Sequence, residues 1–268
     1  MRFSSRKNMK NFIKKYGLSI SLTLLSIITM IGCWAVASLI AKNDYVIPNV
    51  IDTFKDMGAL FKDGNFYNGL FNTLLRTLYS VVIAYLLGGA LAIVTIIFKP
   101  LKAFFVPIVS VIRVVPTMAV LLIILLFTTP SVSPIVVSLL VLVPMVYQQF
   151  LTAFAEIDDG VISVLKVFGV SKSDRVFKVY LPLILPSTIS NLGTNFSFSI
   201  KLIVSAEVLA YTFNGLGGLM RDASVYFAIP RLASLTLFAV IIGILIEVVF
   251  NLLSKLLFKW NTTGVKYD

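Results

Sequence analysis

Histidine is absent from the 268-residue chain, and acidic residues are few, with 12 Asp and Glu against 23 Lys and Arg. Without histidine, the chain can build neither a histidine-based metal site nor a Ser-His-Asp triad. The single cysteine, Cys33, excludes an internal disulfide and lies in an apolar run, where a small buried thiol is expected. The sequence therefore offers no candidate catalytic residue and no candidate metal site.

Charged residues are also scarce, at 13% of the chain, whereas 58% of the residues are hydrophobic and the mean hydropathy is +0.97. Soluble domains average about 45–50% apolar and about 25% charged residues. A chain this apolar needs lipid as the solvent for its surface. The composition therefore predicts an integral membrane protein in contact with membrane lipid.

Six long apolar segments make up most of the chain. They exceed the length of strands and lack alternation of period two, so they are predicted to be helices of an all-α polytopic membrane protein. The first contains 24 residues, about 36 Å of helix, which suits a membrane span better than the shorter core of a secretory signal. The predicted spans are residues 18–41, 70–98, 104–127, 133–155, 187–213 and 229–258.

Positive charge is distributed unevenly along the chain. Six Lys and Arg and no acid occupy residues 1–17, directly before the first span, as expected for a cytoplasmic flank. With six spans, the segments on this side carry 15 Lys and Arg against 5 on the other, which predicts that both termini are cytoplasmic. No nucleic-acid partner is predicted, despite the net charge of +11, because a basic-aromatic face is missing.

No linker or internal repeat divides the chain. We interpret it as a basic cytoplasmic arm (1–17), one transmembrane domain (18–260) with a cytoplasmic loop (156–186), and a cytoplasmic tail (261–268). Apolar residues at helical spacing before the second span predict a short amphipathic helix at the membrane surface. In the third span, Arg113, Pro116 and a cluster of turn formers predict a broken or tilted helix.

The loop 156–186 interrupts the apolar pattern, and it is predicted to form two short helices. Gly169 supplies a flexible corner after the first, and Ser171 is a plausible N-cap for the second. Pro182 is expected to end the second helix, and Pro186 to begin the next span.

The surface of this loop combines charge with apolar residues. Lys172, Arg175 and Lys178 are expected to stay hydrated. The loop could be a solvated connector, but exposed apolar side chains such as Phe168 and Phe177 favour docking on a partner.

Gly169, the basic helix after it and the sequence LPLILPS at residues 181–187 resemble the cytoplasmic loop of permeases of binding-protein-dependent ABC importers. In that family the loop forms coupling helices that sit in a groove of the ATPase subunit. The family's Glu-Ala-Ala is replaced here by Ser163, Val164 and Leu165. The resemblance implies an ATPase-coupling role for Ser163, Val164, Leu165, Gly169, Lys172, Asp174, Arg175, Phe177, Pro182 and Pro186.

The resemblance extends over residues 46–260 in the order and spacing of weak motifs, and it is closest to the nitrate, sulfonate and taurine subgroup. The matching stretches are residues 46–57, 69–93, 112–120 and 199–220. It implies the type I ABC importer permease fold, with about six transmembrane helices, in the cytoplasmic (inner) membrane. It also implies small anionic substrates such as sulfonates, taurine or nitrate, or small heterocycles such as thiamine-precursor pyrimidines.

The same resemblance implies the partners. These are ATPase subunits that bind ATP and magnesium, a second copy or a paralogue of the permease, and an extracytoplasmic solute-binding protein. Consistent with a separate ATPase, the chain lacks the G-x-x-x-x-G-K-[ST] phosphate loop. The chain itself is therefore expected to bind no cofactor and not to be an enzyme.

Charged residues inside the spans are the candidates for a translocation path or gate, and they are Arg76, Arg113, Lys201 and Glu207, with Pro116 at the break in the third span. A charged residue near a helix centre costs about 2.5–3.5 kcal/mol unless it is paired or faces the bundle interior. Lys201 and Glu207 therefore either line the path or form a structural ion pair with Arg76 or Arg113. Alternatively, Arg76 extends to the lipid headgroups.

Three other classes of membrane protein are alternatives, and one of them, a non-transporting scaffold or receptor subunit, would be revealed only by loss of coupled transport. A transporter driven by an ion gradient would be expected to show inverted repeats or acid pairs within spans, and neither is evident. A membrane enzyme would need a nucleophile-base pair or a metal cluster, for which the chain has few suitable residues.

Overall fold

A computed structural model describes the backbone of residues 2–98 and 100–258, and the side chains of residues 21–98 and 100–258. Side chains of the arm (1–17) and the tail (261–268) lie outside the described residues. The regular secondary structure of the described residues is entirely helical, and a π-helical turn (Arg175–Tyr180) lies between α8 and α9. The α-helices are α1 (Arg2–Ala41), α2 (Val50–Leu60), α3 (Gly64–Ile97), α4 (Pro100–Val114), α5 (Thr117–Phe127), α6 (Ser133–Ala155), α7 (Asp159–Val167), α8 (Lys172–Asp174), α9 (Leu181–Leu209), α10 (Leu216–Val225) and α11 (Ile229–Leu257).

Five helical segments of the described chain are long and apolar enough to cross a membrane, and the bent pair α4–α5 makes a sixth when it is counted as one broken span. The two halves of this pair meet at an angle of 94°. Proline lacks an N–H donor and disfavours α geometry in the residue before it, so Pro116 ends α4 and begins α5. The predictions of about six transmembrane helices and of a break at Pro116 are confirmed.

The fifth span differs from its prediction. Pro182 does not end a helix and Pro186 does not begin one, because the segment Lys172–Leu209 continues without interruption through the π-helical turn. That turn ends at Tyr180, two residues before Pro182, so the turn preceding the proline ring departs from the α geometry that the ring would crowd. Pro186 is buried inside α9, and its carbonyl accepts a hydrogen bond from Ser254 of α11.

Helices α3, α6, α9 and α11 pack together as the centre of the protein. Between α3 and α6 the backbones approach closely at Gly88, where an added Cβ would lie 2.8 Å from the carbonyl oxygen of Val143 and 3.0 Å from the Tyr147 nitrogen. At the neighbouring Gly89, an added Cβ would lie 3.5 Å from the Phe150 ring, an ordinary contact distance.

We expect Gly88→Ala to lower the free energy of unfolding by about 1–3 kcal/mol, because the methyl group forces two backbones apart. Gly89→Ala is the matched control in the same helix and should leave stability unchanged or raise it by up to about 1 kcal/mol through helix propensity. Thermal unfolding of the two variants in detergent measures the difference. Equal midpoints for both would contradict the close packing of α3 on α6.

Ion pairs join the start of α11 to α2 and to the N-cap residue of α3. Arg231, at the start of α11, binds Asp63 and lies 3.9 Å from Asp56. The hydrogen bond from Arg231 holds the pKa of Asp63 below its ordinary value, and the backbone N–H of Asn65 acts in the same direction. The predicted amphipathic helix is confirmed as α2, and Leu60 is its buried apolar anchor.

Helix α1 has few contacts with the rest of the bundle. Its Trp34 donates a hydrogen bond to the carbonyl of Pro48 at 3.1 Å and stands beside the ring of Phe54. Cys33 is exposed on this helix, so the prediction of a buried thiol is wrong. The physical reason is that no other described helix covers that face of α1.

Candidate functional site

A cavity of about 650 Å³ lies between the broken span α4–α5 and the helices α6 and α9, and we call it the central cavity. The 94° bend exposes the wall of α6 that a straight helix would cover. Several wall residues are polar but uncharged, which suits a solute with hydrogen-bonding groups. They are Thr117, Gln148, Gln149, Thr152, Ser187 and Asn191.

Arg113 is the cation of the central cavity and lies beside the break at Pro116. Its side chain is exposed and, among the described residues, forms no hydrogen bond or ion pair. Glu156 also lines the cavity but makes no ion pair with it. Arg113 thus lines a cavity with a guanidinium that is free to bind an anion, and its role in a translocation path or gate stays a prediction.

A buried amide pair stands behind this wall. Gln149 donates to the side-chain oxygen of Asn195 at 3.0 Å, and Asn195 donates in return at 2.8 Å and to the Tyr85 hydroxyl at 2.8 Å. Asn195 is fully buried, so these bonds fix the side chain of Gln149 at the cavity wall. The sequence analysis did not identify these residues. The sequence nevertheless indicates a polar site here, because Gln148 and Gln149 are adjacent amides within an apolar span.

A second polar centre joins α3, α9 and α10, and we call it the buried clasp. Arg76 donates to the Glu207 carboxylate at 2.6 Å and to the Asn214 carbonyl at 2.7 Å. Thr73 donates to the same carboxylate at 2.8 Å, and the Gly217 N–H donates to it at 3.0 Å. Glu207 is fully buried and Arg76 is 8% exposed. The clasp is thus a closed network around one desolvated charge pair.

The contacts of the buried clasp show which of the predicted roles apply to Arg76 and Glu207. The structural ion pair is confirmed for Glu207 with Arg76, whereas the headgroup position of Arg76 is wrong because its guanidinium points into the bundle. Lys201, on an exposed part of α9, lines neither the clasp nor the central cavity. A role for Lys201 in a path or gate stays a prediction.

Glycines allow α10 to lie against the clasp. A Cβ added to Gly217 would lie 2.5 Å from the Val204 carbonyl oxygen, and one added to Gly215 would lie 2.5 Å from the Glu207 carboxyl. These distances are shorter than van der Waals contact, so both positions require glycine. Helix α10 itself was not predicted from the sequence.

The loop 156–186 forms the two predicted helical pieces with a corner at Gly169. Asp158 caps α7, and Gly169 has a φ of +64°, the left-handed conformation that favours glycine. The N–H of Val170 bonds to the carbonyl of Leu165, and the N–H of Gly169 bonds to that of Lys166, as in a Schellman motif. Ser171 accepts a hydrogen bond from the Asp174 N–H, so the predicted N-cap is confirmed.

Apolar side chains of this loop face outward. Phe168 is 78% exposed and Phe177 is 54% exposed. With Val164 and Val167, these two residues form what we call the α7–π surface, which also carries the exposed Ser163 beside the half-buried Leu165.

The charged residues of the loop behave in two ways. Lys172 is exposed, and Lys178 forms an ion pair with Asp174 at 2.6 Å. Arg175 was predicted to stay hydrated, and this is wrong, because it is half-buried and its Nε donates to the Val170 carbonyl at 2.7 Å.

Comparisons of the sequence with known proteins converge on one family. A family model described as "Binding-protein-dependent transport system inner membrane component" matches residues 84–265. A Bacillus subtilis protein named as an aliphatic sulfonates transport permease is 27% identical over 256 residues, covering 93% of this chain and 90% of that protein. A protein of Brucella abortus named as an ABC transporter permease is 22% identical over 247 residues, covering 90% of this chain and 96% of that protein.

Solved structures share the fold. A chain of a bacterial alginate ABC transporter, in complex with an alginate pentasaccharide-bound periplasmic protein, aligns with a TM-score of 0.65 at 17% identity, over 92% of this chain and 97% of that one. A chain of the MetNI methionine ABC transporter, in an inward-facing conformation, aligns with a TM-score of 0.58 at 20% identity, over 70% of this chain and 93% of that one.

Proposed function

The chain belongs to the binding-protein-dependent transport system inner membrane components, as a multi-pass permease subunit of an ABC importer in the cell membrane, and from that premise we propose that its solute is a small organic anion of the sulfonate class. In this proposal the solute passes through the central cavity, and Arg113 contacts its anionic group. ATP hydrolysis takes place on a separate ATPase subunit that docks on the α7–π surface.

The unpaired guanidinium of Arg113 is the observation that carries the choice of solute. A sulfonate is a compact anion with three acceptor oxygens, and arginine binds such groups through its fork of N–H donors. The uncharged amides and hydroxyls of the cavity wall can bind the remaining polar groups of the solute. The Bacillus subtilis relative named for aliphatic sulfonates transport supports the same class.

The α7–π surface supports docking of an ATPase because it is apolar and exposed. Burying an apolar side chain such as Phe168 or Phe177 contributes about 1.5–3 kcal/mol. ATP and magnesium would bind to that partner and none to this chain, whose sequence lacks a phosphate loop of the usual kind. Docking of this loop is what would couple ATP hydrolysis to movement of α9.

A second permease copy or a paralogue completes the proposed pathway. One chain supplies the central cavity with walls from α4, α5, α6 and α9 only, and in this proposal the partner chain completes the enclosure of the solute within the membrane. The solute-binding protein would deliver the anion from the face opposite the α7–π surface. The prediction that both termini are cytoplasmic is consistent with this arrangement and remains a prediction.

Uptake into proteoliposomes tests the choice of solute. The transporter would be reconstituted with its ATPase and binding protein, and ATP-dependent uptake of a radiolabelled alkanesulfonate would be measured. We expect Arg113→Gln to reduce uptake by about tenfold or more, since hydrogen bonds to charged groups contribute about 1.5–3 kcal/mol. Lys42→Gln, which removes one exposed charge at the end of α1, is the matched control and should transport normally.

Two results would contradict the proposal. If Arg113→Gln and Lys42→Gln transport the sulfonate equally well, Arg113 is not the anion contact. If the intact transporter takes up a neutral solute of similar size but no sulfonate, the solute class is wrong, although the importer assignment stands.

A further inference from the structure

A second cavity, of about 560 Å³, lies where α3 and α6 end, and we call it the basic cavity. The start of α4, helix α7 and the π-helical turn close its other sides. Four of its lining residues are cations, and none is acidic. The cations are Lys102, Lys166, Lys172 and Arg175.

These cations are not neutralised by neighbours. The side chains of Lys102, Lys166 and Lys172 form no hydrogen bond or ion pair among the residues that the structure describes. Arg175 uses its Nε on the Val170 carbonyl, which leaves the rest of its guanidinium unused. Asp174, the acid next to Arg175, is engaged by Lys178 at 2.6 Å and by the Ser171 hydroxyl at 2.7 Å.

The remaining wall is apolar and belongs to the ends of two spans. Ile96 and Ile97 are the last residues of α3, while Leu151 and Phe154 lie in the last turns of α6. The cavity is therefore at the depth where a bilayer changes from hydrocarbon to headgroups. On the predicted topology this is the cytoplasmic leaflet, which carries the anionic lipids.

We propose that the basic cavity binds the phosphate headgroup of an anionic phospholipid, with an acyl chain against the wall formed by Ile96, Ile97 and Phe154. The clustered cations balance the negative charge of the phosphate diester. The apolar wall contacts the acyl chain in place of neighbouring lipids. A free phosphate compound would use the cations but leave this wall bare. On the proposed function the ATPase docks on the exposed α7–π surface, whereas the basic cavity is a recess at the span ends.

Native mass spectrometry of the full-length chain, purified without its ATPase, tests this site directly. Phosphatidylglycerol would be titrated into detergent micelles, with phosphatidylcholine as the neutral probe. The intact chain should retain one tightly bound phosphatidylglycerol and no phosphatidylcholine. Each lysine near an anionic lipid surface contributes about a fivefold factor in affinity, so Lys102→Gln with Lys172→Gln should weaken phosphatidylglycerol binding by about 30-fold.

Lys42→Gln with Lys62→Gln is the matched control, because it removes two exposed charges remote from the basic cavity. Its binding of phosphatidylglycerol should equal that of the intact chain. Thermal unfolding in the presence of phosphatidylcholine alone checks that both double variants are folded, and their midpoints should agree.

Three results would overturn the proposal. The first is equal phosphatidylglycerol binding by the two double variants. The second is displacement of the lipid by glycerol 3-phosphate at equal concentration, which would identify a site for a soluble phosphate. The third is unchanged lipid binding together with weaker ATPase association in the Lys102 and Lys172 double variant, which would assign the cations to the protein partner. None of these depends on which solute is imported.

Discussion

Phe168→Asp together with Phe177→Asp should abolish association with the ATPase subunit. Both rings are more than half exposed in the isolated chain, and docking would bury them at a contribution of about 1.5–3 kcal/mol each. Losing both apolar contributions, and placing two carboxylates in the same interface, should reduce the affinity for the ATPase subunit more than 100-fold. Co-purification of the two subunits and ATPase activity in nanodiscs measure the effect. The double variant Phe168→Leu with Phe177→Leu is the control and should retain most of the association with the ATPase.

Gly169 permits a sharper test of the same surface. Gly169→Val places a β-branched residue at φ +64°, whereas Gly169→Asn places there a residue that tolerates the left-handed conformation. A Cβ at this position would meet no atom within 4 Å, so the difference between the variants comes from backbone strain and not from crowding. Valine should impair coupled transport strongly, and asparagine only slightly.

The docking proposal fails if the double aspartate variant still co-purifies with the ATPase at the level of the intact chain. It also fails if Gly169→Val and Gly169→Asn support the same ATP-dependent uptake. Uptake that continues without any ATPase would instead support a carrier driven by an ion gradient.

Glu207→Ala should destabilise the protein by about 3–5 kcal/mol, because removing one partner of a buried ion pair leaves the other as an uncompensated charge. Here Arg76 would remain buried, and the Thr73 hydroxyl and the Gly217 N–H would lose their acceptor. The thermal unfolding midpoint in detergent and the yield of monodisperse protein measure the loss. Glu247→Gln is the control in another span, where the acid is half-buried and its hydrogen bond is to Thr194 at 3.2 Å.

A double variant separates the charge from the hydrogen bonds of the clasp. Arg76→Met with Glu207→Gln removes both charges but keeps an acceptor for Thr73 and Gly217. This variant should be more stable than Arg76→Met alone, which leaves a buried carboxylate without its cation. Additive losses in the two single variants would show that the pair is not energetically coupled, and would contradict the closed network.

The spans could be predicted because length and composition decide them. No strand or soluble helix accommodates more than 20 consecutive apolar residues, and Pro116 cannot sit inside a straight helix without cost. The corner at Gly169 could also be predicted, because a glycine between two helical patterns is typical of the left-handed residue in a Schellman motif. These features depend on residues close together in the chain.

The clasp could be anticipated only as one of several pairings. Arg76 and Glu207 are 131 positions apart, and nothing in the local pattern decides whether Arg76 or Arg113 approaches the acid. The contact depends on how α3 and α9 cross, which is a property of the whole bundle. The central cavity was missed for the same reason, because it exists only where the bend at Pro116 uncovers α6.

The uninterrupted helix from Lys172 to Leu209 gives the protein a lever. At 1.5 Å per residue, its 38 residues extend about 57 Å, from the α7–π surface at one end to the clasp residue Glu207 near the other. A stop at Pro182 would have left a hinge there, and a hinge absorbs rotation. If this helix turns as a rigid rod about its loop end, a tilt of about 5° displaces the far end by about 5 Å, so on the docking proposal a small rotation imposed at the loop would reach the clasp end of the helix.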